Sequence, residues 1–457
     1  MDPRELRTLI DDRPGDGVFR VHRRLYSDPE IFDLEMKHIF EGGWVFLGLA
    51  AQLPNRHDYF TTYIGRQPVV LMRDGTGAVN CFLNACPHRG ARVCAFKQGN
   101  QRLHVCPYHS WSFDSAGRNK AIKGKNDGAY TPAFDSDSHD LTPIARFGEY
   151  RGLLFGSLSA DVPPLEDHLG EARKLIDLAV DQSPEGLELV PGVVTFTYAA
   201  NWKLQLENCS DAYHFTSVHP SYMRILDRRV EVKAGEAMQS VFEKDNPMTD
   251  ASDAIRGGSY SFPHGHVLNW ALIPVSDQLA LYDRAAELKD KFGEAKRDWM
   301  FNSRNLTLFP NVQLAENASS QLRVIRPIAP DLTEMTTYCM APVGESAETR
   351  RKRIRQYEDF FNPSGLATPD DIVCYEDCQD GYVVPVGGYL QGHARGMTAS
   401  KIGGNALSEG IGLDPERSVA GNSRLCDESL FQAYYRAWLE RVDRGIARDR
   451  AAAEAVA

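Results

Sequence analysis

Two short clusters of metal-binding side chains constrain this chain more than any other feature of its sequence. Cys86-x-His88 forms the first cluster, and Cys106-x-x-His109 follows it after 17 residues. Structural zinc sites usually group like ligands, as in C-x2-4-C and H-x3-5-H pairs. Here each cluster combines one thiol with one imidazole, so each loop would supply both types of ligand to the centre that it binds.

This mixed pairing is typical of a Rieske [2Fe-2S] cluster, in which two Cys bind one iron and two His bind the other. A loop that crosses the cluster sideways gives one ligand to each iron, and four residues in this register seldom arise by chance. We therefore predict a Rieske cluster on these four residues, with a zinc site as the alternative. Cys81 and Cys94 have no His at a matching spacing and are predicted to be small buried residues.

Composition and charge exclude several other classes of protein. The 457 residues are too many for one compact core and predict two or three domains. No run of 18 apolar residues occurs, and the chain does not begin with a signal-peptide pattern, so we expect a cytoplasmic protein without a membrane span. Nine cysteines without disulfide spacing indicate free thiols and metal ligands, and the net charge of -11 argues against a nucleic-acid partner.

The pattern of residues divides the chain into three regions. Residues 1–44 are predicted to be a helical segment that packs on the third region, residues 161–457. Residues 45–160 contain short strand-like runs separated by Gly, Asn, Asp and Pro, which predicts an all-β domain that holds both clusters. Residues 161–457 alternate helices with strands, which predicts an α+β domain with an antiparallel sheet. The helices predicted there are 165–180, 348–361 and 428–447.

A second candidate metal site lies in the stretch NWKLQLENCSDAYHFTSVHP. Two His and one carboxylate on one face of a metal form the facial triad of non-haem Fe(II) oxygenases, and His214 and His219 are candidates for the two imidazoles. Positions five residues apart lie about 140° apart on an ideal helix, so a π-bulge or a helix end must intervene if both bind. Otherwise one His binds and the other packs. Asp211 could accept a hydrogen bond from the His214 imidazole, and Asn208 is a further candidate near the metal.

Together these motifs resemble the large (α) subunits of Rieske non-haem iron aromatic-ring-hydroxylating dioxygenases. In that family ENCSDAYHFTSVH is similar to the iron-site segment, which implies that both His214 and His219 bind iron. DFFNPSGLATPDD is similar to the segment that carries the third ligand, which is the second of two adjacent acids. The resemblance therefore implies Asp371 as the ligand, whereas Asp370 is the alternative and both could simply be an acidic helix N-terminus.

The resemblance extends over most of the chain. FDLEMKHIFEGGWVF, TTYIGRQPVVL and RGLLFGSL are similar to the benzoate, toluate, halobenzoate and anthranilate 1,2-dioxygenases. It implies a Rieske domain beside a catalytic domain of helix-grip type, in which helices cover an antiparallel sheet. It also implies one [2Fe-2S] cluster and one mononuclear Fe(II) per chain, an α3β3 assembly with a small β subunit, and electrons from NADH through a flavin and iron-sulfur reductase. Asp211 would then link His214 to His109 of a neighbouring copy for electron transfer.

Some residues depart from the pattern of that group. Ser110 stands where a Gly is usual in the Rieske loop, and Pro87 replaces a small residue. Cys209, Ala212 and Pro220 differ from the residues that usually stand beside the iron ligands. Because residues beside the ligands shape the pocket, these departures leave the substrate open among benzoate-like, anthranilate-like, salicylate-like and aniline-like rings.

We therefore expect an oxygenase component that dihydroxylates an aromatic ring with O2. A Rieske monooxygenase that adds a single hydroxyl group is the alternative within this class. An electron carrier or a zinc-stabilised binding protein is the alternative from another class. A red-brown protein with an oxidised Rieske spectrum favours the oxygenase, and a colourless protein with stoichiometric zinc contradicts it.

Overall fold

The computed structural model describes residues 3–231, 254–277, 279–317, 319–384, 388–422 and 426–456. They form two compact units, of which Met36–Leu165 is one and the described residues on either side of it are the other. None of the described helices combines the length and the apolar character that crossing a membrane requires.

The strands are, in chain order, β1 (Ile10–Arg13), β2 (Val18–His22), β3 (Val45–Leu49), β4 (Asp58–Ile64), β5 (Gln67–Arg73), β6 (Val79–Leu83), β7 (Gln98–Asn100), β8 (Leu103–Val105), β9 (Ser112–Asp114), β10 (Asn119–Ala121), β11 (Arg146–Tyr150), β12 (Leu153–Ser157), β13 (Leu187–Leu189), β14 (Val194–Tyr198), β15 (Gly257–Ser261), β16 (Val267–Ala271), β17 (Ser303–Leu308), β18 (Val312–Glu316), β19 (Ser320–Ala329), β20 (Leu332–Pro342), β21 (Tyr389–Leu390), β22 (Lys401–Ile402) and β23 (Arg417–Gly421).

The α-helices are α1 (Pro3–Thr8), α2 (Arg24–Ser27), α3 (Pro29–Glu35), α4 (Leu165–Leu169), α5 (Arg173–Val180), α6 (Trp202–Asn208), α7 (Phe215–Val218), α8 (Pro220–Glu231), α9 (Ala285–Phe292), α10 (Glu294–Phe301), α11 (Ala347–Phe360), α12 (Thr368–Tyr382), α13 (Ala406–Glu409) and α14 (Phe431–Val456). A π-helix, Met36–Phe40, follows α3 directly.

The Met36–Leu165 unit is built from small antiparallel sheets. Their strand orders are β6-β5-β4-β7, β10-β9-β8 and β11-β12-β3. Inward-facing side chains such as Val70, Met72 and Phe113 form its core together with Cys86 and Cys106. The loops that carry both Cys/His clusters are thus anchored on a packed sheet core, and the all-β prediction for this part of the chain is confirmed.

The larger unit is built around a ten-stranded antiparallel sheet. Its order is β13-β20-β19-β18-β17-β16-β15-β23-β22, with β14 also paired to β20. The long strands β19 and β20 form a hairpin, and the helices α6 and α11 pack against it. A core of buried side chains in this unit includes Cys209, which follows α6, Ala315 of β18 and Phe361, which follows α11. The predicted α+β fold, a sheet covered by helices, is confirmed.

The helix predicted over 165–180 is interrupted. It consists of α4 and α5, with a 3-10 turn at Gly170–Ala172 between them. Gly170 has φ of +48°, in the left-handed region that glycine adopts without strain, so one continuous helix does not form there.

Candidate active site

The buried helix α6 delivers the first polar group of the site. The Asn201 side chain caps the helix by accepting a hydrogen bond of 3.1 Å from the Lys203 backbone N–H. All the residues from Asn201 to Leu206 are buried, so the helix is held firmly beneath the surface. It ends at Asn208, and a turn over residues 209–213 leads into the single helical turn α7.

The two imidazoles stand at the two ends of α7. His214 is its N-cap residue, and His219 follows it with φ of -107° and ψ of 31°, which lies outside the helical region. Pro220 then begins α8. The helix therefore ends between the two rings, which allows both to face one point although they are five residues apart, and their centroids lie 5.3 Å from each other.

The carboxylate of Asp371 comes from the first turn of α12 and meets both rings. Its Oδ1 lies 3.2 Å from His219 Nε2 and 3.4 Å from His214 Nε2. Ligand atoms about 2.1 Å from a metal ion, at right angles to one another, are separated by ~3 Å. The carboxylate oxygen therefore lies at a ligand-to-ligand distance from both imidazole nitrogens. Within the described part of the chain, these three residues form a group that could hold a metal ion.

Asp211 fixes the orientation of the His214 ring. The His214 Nδ1–H donates to Asp211 Oδ2 over 3.0 Å, which leaves Nε2 directed at Asp371. Burial lowers the pKa of His214, but the hydrogen bonds to Asp211 and Asp371 outweigh it and raise that pKa to about 10. A bound metal ion would replace the proton that Asp371 otherwise holds on Nε2, while Asp211 keeps the proton on Nδ1.

The second oxygen of Asp211 is also engaged. Its Oδ1 accepts a hydrogen bond of 2.5 Å from the Tyr213 backbone N–H. A carboxylate oxygen has two lone pairs, so this contact leaves room for one more donor. The side chain of Asp211 is 15% exposed, which leaves it accessible from outside.

Asn208, predicted as a candidate near the metal, lies within hydrogen-bonding distance of two members of the triad. Its Nδ2 lies 3.1 Å from Asp371 Oδ1 and 3.2 Å from His214 Nε2. The amide can therefore donate to the carboxylate oxygen that faces the two rings. Such a hydrogen bond orients a metal-binding carboxylate.

The adjacent acid, Asp370, occupies a different position. Its Oδ2 lies 3.7 Å from His219 Nδ1 and 3.4 Å from Ser221 Oγ, and its side chain is 36% exposed. The corresponding value for Asp371 is 11%. The geometry therefore favours Asp371 over Asp370 as the third ligand.

A cavity of about 120 Å³ opens beside the triad. One water needs about 10–15 Å³ of this kind of space, so the cavity can hold a substituted benzene ring. Strands and helices contribute both apolar and polar walls, among them Phe215, Trp270, Asn305, Arg323 and Phe360. Aromatic walls combined with polar groups that fix orientation are typical of a small-molecule site.

None of the sheet residues that line this cavity was predicted from the sequence. Arg323 lies in β19, in the stretch QLRVIRPIA that was predicted as a strand. A basic residue inside a strand of apolar character was the one local signal for it. Trp270 and Asn305 carry no such signal, because only the pairing of β16 with β17 brings them to one place.

The two Cys/His loops of the smaller unit each form the same type of backbone turn. Gly90 N–H donates to the Cys86 carbonyl over 2.8 Å, and Ser110 N–H donates to the Cys106 carbonyl over 3.0 Å. Both donors have positive φ, 75° for Gly90 and 61° for Ser110. The repeated turn directs a Cys and a His from each loop toward one point.

The side chains of the two loops meet at this point. Cys86 and Cys106 are buried, and the rings of His88 and His109 lie with centroids 4.4 Å apart. Trp111 stacks on His88 at 4.9 Å. The Nδ1 atom of His109 is buried without a hydrogen-bond partner among the described residues, as expected for a nitrogen that binds iron. These residues fit a Rieske cluster.

Cys81 and Cys94 are buried, as predicted, and Cys94 Sγ lies 3.2 Å from His104 Nδ1. This contact was not foreseen, because His104 lies outside both clusters. The His104 ring packs edge-on against Tyr59 and lies in the interior of the smaller unit.

Sequence comparison assigns both units. Residues 177–441 match the ring hydroxylating alpha subunit (catalytic domain), and residues 43–134 match the Rieske [2Fe-2S] domain. The chain belongs to the family of ring-hydroxylating dioxygenase α subunits. It is therefore an oxidoreductase that carries one [2Fe-2S] Rieske cluster and one mononuclear iron, and it is the α subunit of a multicomponent dioxygenase.

Three relatives align along nearly the whole chain. The toluate 1,2-dioxygenase α subunit of Pseudomonas putida is 43% identical over 97% of this chain and 95% of its own. The 2-halobenzoate 1,2-dioxygenase large subunit of Burkholderia cepacia is 41% identical over 97% and 94%. The anthranilate 1,2-dioxygenase large subunit of Acinetobacter baylyi is 38% identical over 96% and 92%. The sequence-based resemblance is thus confirmed.

The fold is also that of a solved structure. A point mutant of naphthalene 1,2-dioxygenase bound to phenanthrene superposes with a TM-score of 0.81 over 95% of this chain and 94% of its own, at 24% identity. At this identity the likeness supports the fold alone.

Proposed function

We propose that this chain dihydroxylates an aromatic carboxylic acid at adjacent ring carbons. The observation that carries this proposal is the His214, His219 and Asp371 triad at the wall of a cavity with room for one ring. The three relatives described above are named for toluate, 2-halobenzoate and anthranilate, which are all aromatic acids. Their names support an acid of similar size as the substrate.

The chain's own residues have separate tasks in this reaction. When bound, the mononuclear iron supplies O2 activation, with electrons that arrive singly from the Rieske cluster. His214, His219 and Asp371 would hold it from one side and leave the side of the cavity open to O2 and the ring. Asn208 and Asp211 keep two of these ligands oriented.

The roles of the domains, the β subunit and the reductase are part of the same proposal. Cys86, His88, Cys106 and His109 hold the Rieske cluster within a domain of residues 45–160, and residues 161–457 form the oxygenase domain. Of the segment 1–44, the described residues up to Glu35 belong to the same compact unit as the oxygenase domain, whereas Met36 and the residues after it belong to the smaller unit. The segment holds the strands β1 and β2 as well as helices. A small β subunit completes an α3β3 assembly. A flavin and iron-sulfur reductase passes electrons from NADH to the Rieske cluster.

Product analysis with labelled O2 tests the reaction. The complete system with 18O2 should convert benzoate, a toluate or anthranilate into a product in which two adjacent carbons each carry one labelled oxygen. A single labelled hydroxyl group would instead indicate a monooxygenase. Absence of turnover on aromatic acids, with turnover of neutral rings or anilines, would contradict the proposed substrate class.

Asp211 is proposed to connect His214 with His109 of a neighbouring copy. We predict that Asp211→Asn binds both iron centres and reduces its Rieske cluster normally, yet turns over orders of magnitude more slowly, because the bridge between the centres is lost. Single-turnover spectroscopy of the reduced protein with substrate and O2 measures this step. If the Rieske cluster of the variant reoxidises at the wild-type rate, Asp211 is not the bridge, and a loss of mononuclear iron would mean that it only orients His214.

A further inference from the structure

Arg323 is a buried cation to which the described part of the chain offers no anion. The buried basic side chains there are Lys203, Arg304, Arg323 and Arg353, with exposures of 2%, 2%, 7% and 4%. The other three form ion pairs, Lys203 with Glu35, Arg304 with Glu316 and Arg353 with Glu345. No carboxylate of the described residues lies within 4.0 Å of the Arg323 guanidinium.

The contacts of Arg323 are with neutral groups. Its Nε donates to Gln321 Oε1, and its guanidinium carbon lies 5.3 Å from the centre of the Phe361 ring. It also faces the Cys209 thiol. Burial raises the pKa of that thiol, and the charge of Arg323 and then a hydrogen bond from it act against the rise. These contacts hold the side chain in place but leave its positive charge uncompensated. A buried charge is costly until an opposite charge meets it.

Arg323 lies in the wall of the cavity that also contains the iron triad. Arg323 and all three members of the triad line the same cavity. Cys209, which Arg323 contacts, directly follows Asn208, whose amide lies 3.1 Å from Asp371 Oδ1. The guanidinium and the triad thus face one shared space that can hold a single substituted ring.

We propose that Arg323 binds the carboxylate of the aromatic substrate and so selects acids over neutral rings. This inference rests on the proposed function. The planar guanidinium offers two parallel N–H donors to the two carboxylate oxygens, a geometry that also fixes the plane of the substrate. With the carboxylate held at Arg323, the ring carbon that bears it and the adjacent carbon are directed toward the triad.

Paired substrates and paired variants test this assignment in the holoenzyme. Benzoate and benzamide have almost the same shape but differ in charge, and calorimetry gives their dissociation constants without turnover. We expect Arg323→Gln to weaken benzoate binding about 10- to 100-fold, since a charge-assisted contact is lost, and to change benzamide binding less than threefold. Arg323→Lys should retain part of the preference for benzoate, because it keeps the charge but not the planar fork.

The rival cation in the cavity wall is Arg256, which is only half-buried. If Arg256→Gln abolishes the preference for benzoate while Arg323→Gln keeps it, the assignment is overturned. A parallel loss of both ligands in Arg323→Gln, with reduced iron content or a changed Rieske spectrum, would assign Arg323 a structural role and also overturn it. If Arg323→Gln does not fold, Arg323→Lys decides: an unchanged benzoate-to-benzamide ratio in that variant contradicts the proposal.

Failure of the proposed function would look different. In that case the wild-type holoenzyme itself would not oxidise aromatic acids. Failure of the inference alone would leave the wild type active on acids, with a preference that does not depend on Arg323.

Discussion

At the scale of single residues, the Rieske loops show one position under strain. Gly90 and Ser110 occupy equivalent places in the two loops, and both adopt positive φ. Glycine adopts this conformation freely, whereas for Ser110 it costs of the order of 1 kcal/mol or more. The second loop therefore keeps a hydroxyl group next to the His109 ligand position at some cost in backbone strain.

The two adjacent acids of α12 give a sharp prediction at the same scale. Asp371→Ala should reduce mononuclear iron at least tenfold, because it removes the anion that faces both imidazoles, while the Rieske spectrum remains unchanged. Asp370→Ala is the matched control and should keep its iron, since its carboxylate lies beside His219 Nδ1 rather than at the point where the ligands converge. Iron analysis and optical spectra of both variants measure the outcome. Loss of iron in the Asp370 variant alone would show that the ligand has been assigned to the wrong acid.

At the scale of elements, one buried carboxylate joins three helices. Glu35, at the end of α3, accepts from Lys203 Nζ of α6 over 2.6 Å and from Trp438 Nε1 of α14 over 2.7 Å. Its other oxygen accepts from Trp202 Nε1 over 2.8 Å. The helix that ends at Asn208, beside the iron triad, is thus linked to α3 by an ion pair and, through the same carboxylate, to α14 by a hydrogen bond.

Removing that charge should destabilise the fold markedly. Glu35→Gln leaves Lys203 buried without an anion, and we expect a loss of about 3–5 kcal/mol in the free energy of unfolding. The double variant Glu35→Gln, Lys203→Met should recover much of it, because no unpaired charge remains. The control is Asp443→Asn, which breaks the exposed pair with Arg7 and should cost less than about 1 kcal/mol. Denaturant unfolding measures all three variants, and a Glu35→Gln variant as stable as the control would contradict this account.

At the scale of the whole molecule, buried histidines in both units make stability depend on pH. Burial, and next the charge of Arg441, lower the pKa of His266 to about 3, and burial lowers that of His104 in the other unit to about 4. His266 Nδ1 accepts from the Phe309 backbone N–H over 3.0 Å, which a protonated ring could not do. Between pH 6.5 and these values the unfolded chain binds more protons than the folded one, so stability rises with pH across that window.

We therefore predict that the free energy of unfolding falls as pH decreases from 6.5 to 5, by up to about 1.4 kcal/mol per pH unit for each such histidine. Glu428 acts in the opposite direction, since burial and then the charge of Asp211 raise its pKa to about 7, and its contribution is lost as pH rises through that value. Glu416 and Asp427, whose pKa values burial also raises, act in the same direction as Glu428. Burial lowers the pKa of five histidines, His22, His104, His168, His264 and His266, so the net slope remains positive. Urea unfolding at pH 7, 6 and 5 checks the prediction, and a stability that is constant or higher at pH 5 would contradict it.

The sequence by itself determined the local chemistry of this protein. The Cys/His spacing indicated the Rieske cluster, the texture of strands and helices indicated the two types of fold, and the resemblance identified the family. These features could be read because the groups that matter lie a few residues apart, as Cys86 and His88 do. The possibility that only one of His214 and His219 faces a metal could not be settled from spacing, because the answer depends on where a helix ends.

Only the tertiary structure decided which distant residues share one space. It brings Asp371 Oδ1 to within 3.2 and 3.4 Å of the Nε2 atoms of two histidines more than 150 residues earlier in the chain. Asp370 instead lies beside His219 Nδ1, away from the point where these atoms meet. It also places Arg323 in the wall of the same cavity with no carboxylate of the described residues within 4.0 Å of its guanidinium, which nothing within β19 could reveal. The physical reason is that burial and charge pairing are properties of a packed environment, which residues from many elements create together.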